Sequence, residues 1–118
     1  MSITLYGIPN CDTVKKARMW LADRGHIVAF HDVKKAGLSE AMVASWLTQV
    51  PWDILVNKKG TTWRGLTETQ KTDVVDASSA TTLMLAAPSV IKRPVLCDGK
   101  RVVVGFSDAT YQQHFNPI

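Results

Sequence analysis

The 118-residue sequence predicts an α/β fold built on a four-stranded mixed sheet. Three observations lead to this prediction. Strand, helix and strand patterns follow one another within the first 31 residues, helical patterns fill residues 38–91, and two strand patterns and a helix end the chain. The sequence therefore predicts a βαβ half, a helical insertion at about 38–91, and a ββα half, all within a single domain of residues 1–118.

The βαβ half is predicted from local patterns. Residues 3–6 are apolar and β-branched, as is typical of a buried strand. Residues 11–24 place apolar side chains at helical spacing, and Gly25 is suited to end that helix. Residues 27–31 form a second strand pattern, so the two strands are expected to be parallel. Cys11 then lies beyond the carboxyl end of the first strand, where open α/β sheets bind ligands.

The middle of the chain contains helix start and stop signals. Ser39 is a suitable N-cap for a helix that Pro51 ends, and Thr67 with Gln70 has the capping-box pattern. Residues 53–56 are expected to add a helical turn, residues 57–62 to form a polar loop, and a last helix to stop near Pro88.

The final section changes to a strand period. Residues 95–97 and 102–104 flank an Asp-Gly turn, which predicts a β-hairpin, and Ser107 caps a helix that reaches about Phe115. The βαβ and ββα halves together are the thioredoxin-like arrangement. Arg93-Pro94 directly before the third strand favours it further, and we predict a cis peptide bond there.

Composition and charge exclude several classes of protein. The net charge is +4, but Lys and Arg are scattered among acids, so we expect no nucleic-acid binding. No apolar run approaches the length of a membrane span and the start does not resemble a signal peptide, so we expect a cytoplasmic protein without a membrane partner. The three histidines share no metal-ligand spacing, and we expect no metal.

Cys11 is the candidate nucleophile. The unpaired N–H groups and the dipole at a helix start stabilise an anion, and Lys15 and Lys16 follow about one turn later. Both effects lower a cysteine pKa from roughly 8.5, so we predict a reactive thiolate. Val14 makes the motif Cys-x-x-Val, and no resolving thiol lies within a helical turn. Cys97 lies in an apolar strand, where we expect a small hydrophobe; a bridge to Cys11 requires α-carbons within about 7 Å.

Other residues near Cys11 are candidates for binding. The predicted fold brings Lys15 and Arg93 to the thiol, where both suit an anion. Thr13 either donates its hydroxyl to the thiolate or only caps the helix.

Two stretches, Tyr6-Gly7-Ile8-Pro9-Asn10-Cys11-Asp12-Thr13-Val14-Lys15-Lys16-Ala17 and Ile91-Lys92-Arg93-Pro94-Val95-Leu96, resemble the glutaredoxin-coupled arsenate reductases and their small thioredoxin-like relatives. The resemblance implies that Cys11 is the redox nucleophile, Lys15 its basic neighbour, and Arg93 an anion-binding residue beside a cis-proline, Pro94. Relatives with the same Pro-Asn-Cys-Asp-Thr pattern resemble glutathione-dependent thiol reductases, which adds Asn10 and Thr13 to the expected glutathione site.

The resemblance also implies which activity to expect. Arsenate reductases of this family use three arginines, of which only Arg93 is present here; the other positions fall near Asn57 or Lys58 and near Val104 or Gly105. Because only a planar guanidinium grips an oxyanion through two parallel bonds, we predict a glutathione-dependent thiol/disulfide reductase with glutathione as co-substrate and glutaredoxin as a further partner. The alternatives are an arsenate reductase and a redox-sensitive adaptor that binds a protein such as RNA polymerase.

Overall fold

The computed structural model describes residues 3–115. It contains four strands, β1 (Ile3–Gly7), β2 (Val28–Asp32), β3 (Val95–Cys97) and β4 (Val102–Val104). Its α-helices are α1 (Asp12–Asp23), α2 (Glu40–Leu47), α3 (Trp52–Leu55), α4 (Thr61–Arg64), α5 (Glu68–Thr72), α6 (Ala77–Ala86) and α7 (Asp108–Phe115), with a 3₁₀ turn at Pro88–Val90. Within this part of the chain, no helix is long and apolar enough to cross a bilayer.

The chain forms two compact units. Among the described residues, one contains residues 3–32 and 93–115, and the other is Val33–Lys92. The second unit corresponds closely to the predicted insertion at about 38–91. The organisation of residues 1–118 as a single domain stays a prediction.

The sheet of the first unit has the strand order β2-β1-β3-β4. β1 pairs with β2 in parallel, and β3 pairs antiparallel with both β1 and β4. The predicted four-stranded mixed sheet is therefore confirmed. At its centre, Leu5 is opposite Phe30 on one side and Leu96 on the other.

The core of this unit lies on one face of the sheet. Leu5 and Leu96 are fully buried there, together with Ala17 and Leu21 of α1 and Tyr111 of α7. Both helices thus pack on the same face. Burying a leucine side chain stabilises the fold by about 1.5–3 kcal/mol, so Leu5, Leu21 and Leu96 hold α1 on the sheet.

Polar contacts at both ends of α7 attach it to the rest of the first unit. The Trp20 indole N–H donates to the Asp108 carboxylate at 2.7 Å. His114 lies 2.8 Å from the Asp98 carboxylate, which also accepts the backbone N–H groups of Lys100 and Arg101. The Asp98-Gly99 turn therefore joins β3 to β4 and also holds the end of α7.

The helix caps of the insertion and of α7 follow their local sequence. Ser39 accepts the Met42 N–H and caps α2, Thr67 and Gln70 form a reciprocal capping box at α5, and Ser107 accepts the Thr110 N–H at α7. These predictions are confirmed. The structure adds a further capping box, between Asp76 and Ser79, at the start of α6.

The predicted polar loop at residues 57–62 is wrong at its end, because a helical turn, α4, begins at Thr61. Its N-cap is Gly60, which offers no side chain to mark the start, and threonine is a weak helix former. The helical turn predicted at residues 53–56 is confirmed, but it spans Trp52–Leu55. Val56 lies outside it and pairs with Ile91 in an isolated antiparallel bridge.

Candidate functional site

Cys11 occupies the N-cap of α1, after the turn that follows β1. Its backbone is extended, with φ −96° and ψ 124°, and its carbonyl accepts the Lys15 N–H at 3.0 Å. Its own N–H donates to the Ile8 carbonyl at 3.4 Å, which closes the turn. The sequence prediction of a thiol at the mouth of this helix is thereby confirmed.

A close approach between Gly7 and Val14 holds the helix start against the strand end. A Cβ at Gly7 would lie 2.9 Å from Val14 Cγ2, closer than side chains pack in proteins. Val14 is fully buried, so its side chain has little room to move away. Glycine at position 7 therefore allows the first turn of α1, with Cys11, to lie directly on the end of β1.

The Cys11 sulfur makes no side-chain capping bond as a thiol, but as a thiolate it is an acceptor for three donors. Burial raises the pKa of Cys11. The Val14 backbone N–H, the hydrogen bond and charge of the Arg93 guanidinium, and the Thr13 backbone N–H lower it more, so the pKa lies below its ordinary value. Thr13 and Val14 are the second and third residues of α1, whose N–H groups have no partner inside the helix.

Arg93 reaches this position because of the chain that follows it. The Arg93-Pro94 peptide bond is cis, as predicted, and the Pro94 carbonyl accepts the Gly105 N–H at 2.8 Å. β3 begins at the next residue and pairs with β1. Strand pairing thus brings Arg93 beside a cysteine that lies more than eighty residues earlier in the sequence.

The remaining predicted site residues differ in their placement. Asn10 is exposed in the turn before Cys11, and Pro94 is buried. Thr13 contacts the sulfur through its backbone N–H. Lys15 is exposed on α1 and is not one of the groups that lower the Cys11 pKa.

Cys97 lies on the face of the sheet opposite α1, and its position along the strands is distant from the strand end that Cys11 follows. Its strand partner is Thr4, three residues before the end of β1. The neighbouring pair, Leu5 and Leu96, points to the face that α1 covers, so Cys97 and Thr4 point to the opposite face. At about 3.3 Å per residue, the end of β1 is about 10 Å further along the strand. Cys11 lies beyond that strand end, whereas a disulfide needs α-carbons within about 7 Å, and both cysteines are free thiols.

The role of Val14 and the need for glycine at position 7 are not predicted from the sequence. There Val14 is only the residue that stands in place of a second cysteine, whereas in the structure its N–H is one of the groups that lower the Cys11 pKa. The sequence signal for this role is that Val14 is the third residue of a helix whose N-cap is Cys11. Among residues 3–115, no cluster of His, Cys, Asp or Glu is placed to hold a metal ion.

The fold and this site define a class of protein: a thioredoxin-like α/β protein with one cysteine at the start of its first helix. The sequence profile of the ArsC family matches residues 6–114. The chain belongs to the ArsC family, whose members include arsenate reductases, and the predicted family is confirmed.

Solved structures and a sequence relative are similar to the chain. An arsenate reductase (ArsC) related protein from Brucella melitensis is 51% identical, with a TM-score of 0.77, 98% of this chain and 96% of that one being covered. A YffB protein is 45% identical, with a TM-score of 0.88, and the match covers 93% of this chain and 96% of that one. The global transcriptional regulator Spx of Streptococcus agalactiae (serotype V) is 29% identical over 110 residues, 90% of this chain and 77% of Spx. These structures confirm the thioredoxin-like fold.

Proposed function

We propose that the protein is a glutathione-dependent thiol/disulfide reductase that uses Cys11 as its single nucleophile. One observation carries this proposal: the Cys11 sulfur has the guanidinium of Arg93 and two backbone N–H groups as donors, and its pKa is lowered. A thiolate is the form of cysteine that attacks disulfides, and the exchange is fastest when the attacking thiol has a pKa near ambient pH.

The reaction takes place in two exchanges. The Cys11 thiolate attacks the glutathione sulfur of a mixed disulfide between glutathione and a substrate thiol. The substrate leaves as a thiolate, and the Cys11–glutathione disulfide forms. A second glutathione thiolate, or glutaredoxin, then attacks the sulfur of the bound glutathione, which restores the Cys11 thiolate. With glutathione as reductant, the two glutathione molecules leave as their disulfide, so electrons and protons balance.

Release by an external thiol follows from the arrangement of the cysteines. Position 14 is valine, and Cys97 lies on the opposite face of the sheet from α1. No second cysteine of this chain is placed to attack a Cys11 mixed disulfide. The enzyme therefore needs a thiol partner for each turnover, and we propose glutathione, with glutaredoxin as a further partner, in the cytoplasm.

The proposed glutathione site uses the charges and N–H groups around Cys11. Glutathione carries two carboxylates, which suit the guanidinium of Arg93, the ammonium of Lys15 and the positive end of α1. We assign Asn10, Thr13 and Pro94 to the same site, where Pro94 sets the backbone beside Arg93. No metal takes part in this scheme.

Two relatives favour alternatives. The Brucella melitensis protein is described as arsenate reductase related, and Spx is a global transcriptional regulator. The first alternative is an arsenate reductase that uses glutathione or glutaredoxin. The second is a redox-sensitive adaptor that binds a protein such as RNA polymerase. In an assay of NADPH oxidation coupled by glutathione and glutathione reductase, we expect no dependence on arsenate. The positions where two further arginines would grip it fall near Asn57 or Lys58 and near Val104 or Gly105, none of which is an arginine.

Mass measurement of the intact protein after incubation with oxidised glutathione tests the proposal. We expect one glutathione adduct on the unmodified sequence and on Cys97→Ser, and none on Cys11→Ser. The two variants are matched because each removes one thiol from a half-buried position. An adduct on Cys97, or no adduct on any form, contradicts the proposed function.

A further inference from the structure

A second cleft lies within the Val33–Lys92 unit. It measures about 200 Å³ and includes Lys58, Lys59 and Lys92 among its lining residues. One carboxylate, Asp53, also lines it. No catalytic step proposed above uses these side chains.

The three lysines come from two chain segments that backbone hydrogen bonds hold together. The Asn57 N–H donates to the Val90 carbonyl and the Lys92 N–H to the Leu55 carbonyl, each at 2.8 Å, on either side of the bridge between Val56 and Ile91. The Lys59 N–H donates to Asn57 Oδ1 at 3.2 Å. The backbones that carry the lysines are therefore fixed, and the cleft does not need to form when a ligand arrives.

Aromatic contacts position one of the ammonium groups. Lys58 Nζ lies 5.1 Å from the ring centroid of Trp52 and 5.5 Å from that of Trp63. Cation–π contacts of this kind stabilise an exposed ammonium by about 0.5–1 kcal/mol and restrict its side chain.

The charge of the cleft is unbalanced. Within residues 3–115, no carboxylate forms an ion pair with Lys58, Lys59 or Lys92. Three ammonium groups and the single carboxylate of Asp53 leave a net charge of +2 on the lining. A small group with two negative charges would relieve the repulsion between the lysines.

We propose that this cleft binds a phosphate group, either free phosphate or the phosphate of a small phosphomonoester. Phosphate carries about −1.5 to −2 charges at pH 7, which matches the lining. Lysine binds phosphate as a point charge, whereas bidentate carboxylate binding favours arginine, which is absent from the lining. The volume equals about six or seven waters at about 30 Å³ each, which admits a phosphate group and some water.

Titration with inorganic phosphate at constant ionic strength, followed by backbone amide NMR shifts, tests this proposal. We expect saturable shifts at Lys59, Gly60 and Lys92. The double variant Lys58→Gln/Lys59→Gln should raise the dissociation constant at least about tenfold. Lys34→Gln/Lys35→Gln is the matched control, since it removes two adjacent lysines from the same unit, and it should change the constant by less than about twofold.

Further variants and ligands separate the outcomes. Lys92→Gln removes the charge from the other segment and should also weaken binding, so the test does not depend on one variant. Glycerol 3-phosphate that binds more tightly than phosphate identifies a phosphomonoester as the ligand, and weaker binding identifies free phosphate. Any of four results would overturn the proposal. Two concern the ligand: succinate binds as tightly as phosphate, or phosphate does not bind saturably. Two concern the place of binding: the shifts are confined to the first turn of α1, or both lysine-pair variants lose phosphate affinity equally.

Discussion

Cys11 and Cys97 are both half-buried thiols in the same compact unit, but their surroundings differ. Cys11 lies at a helix start, with Arg93 and two backbone N–H groups as donors. Cys97 lies in a strand between Thr4 and Val102, on the face that also carries Tyr6. Burial raises the pKa of the Tyr6 hydroxyl, and a negative charge on Cys97 would raise it further, so the neighbour of Cys97 on this face is a neutral phenol and not a cation.

The comparison shows that exposure does not distinguish the two cysteines. What distinguishes them is the set of donors that the fold brings to each sulfur. At Cys11 these donors overcome the cost of burial, since the net shift of the pKa is downward. A thiol near the surface of a sheet lacks the oriented N–H groups of a helix start.

The largest difference is expected when each thiol is removed in turn. With a glutathione mixed disulfide as substrate, Cys11→Ser should lower kcat/KM at least about a thousandfold, because a hydroxyl cannot accept the glutathione group. Cys97→Ser should stay within about twofold of the unmodified protein. Steady-state rates with glutathione and glutathione reductase provide the measurement, and equal losses in the two variants would contradict the assignment.

Removal of the guanidinium should produce the next largest effect. Arg93→Ala removes a hydrogen bond and a charge that lower the Cys11 pKa, so the pKa should rise. The thiolate fraction at pH 7 and the rate of Cys11 alkylation should then fall.

Arg93→Lys is the matched control for this substitution. It keeps the charge but loses the planar donors, so we expect an intermediate rate. Alkylation of Cys97, followed in Cys11→Ser, should not change in either variant. A rate for Cys11 that is unaffected by Arg93→Ala would show that the helix start alone lowers the pKa.

Gly7→Ala should disturb the position of Cys11 without changing its charged neighbours. The new Cβ would lie 2.9 Å from Val14 Cγ2, so the first turn of α1 must shift. We expect the free energy of unfolding to fall by about 1–3 kcal/mol. Cys11 alkylation should slow by a few fold, and Cys97 alkylation should not.

A double-mutant cycle with Val14→Ala isolates this contact. Denaturant unfolding of the two single variants and the double variant should show that much of the cost of Gly7→Ala disappears when Val14 is truncated. Additive losses would instead place the cost of the substitution elsewhere.

Lys15→Gln should change the alkylation rate of Cys11 relative to that of Cys97 least. Lys15 is exposed and is not among the groups that lower the Cys11 pKa, so alkylation at pH 7 should change by less than about twofold. If Lys15 binds a carboxylate of glutathione as proposed, the KM for glutathione should rise instead. An alkylation rate reduced as far as in Arg93→Ala would make Lys15 an equal partner of Arg93.

The features that were predicted from the sequence depend mostly on neighbouring residues. Ser39, Ser107 and the Thr67–Gln70 pair cap helices through bonds within three residues, so their residue types are sufficient signals. The helix α4 was missed because a four-residue turn with a glycine cap carries no comparable signal. The Asp98-Gly99 turn was predicted, but not the contact of Asp98 with His114.

The candidate site was predicted in part for the same reason. Cys11 at a helix start follows from residues 3–24, and Arg93 was placed beside it only through the proline motif and the family resemblance. The contact between Gly7 and Val14 depends on how closely a helix packs on a strand, which residue types do not specify. Only the geometry shows that the Val14 and Thr13 N–H groups lower the Cys11 pKa together with Arg93, and that Lys15 is not among these groups.

The most direct test is the pH dependence of Cys11 alkylation in Cys97→Ser, where Cys11 is the only cysteine of the chain. Because the fold lowers the pKa of Cys11, the rate should reach half its maximum at a pH below the ordinary thiol value of about 8.5. The same profile for Arg93→Ala in this background should shift to higher pH. A midpoint at or above about 8.5 with Arg93 in place would contradict the claim that the helix start and Arg93 lower the pKa of Cys11.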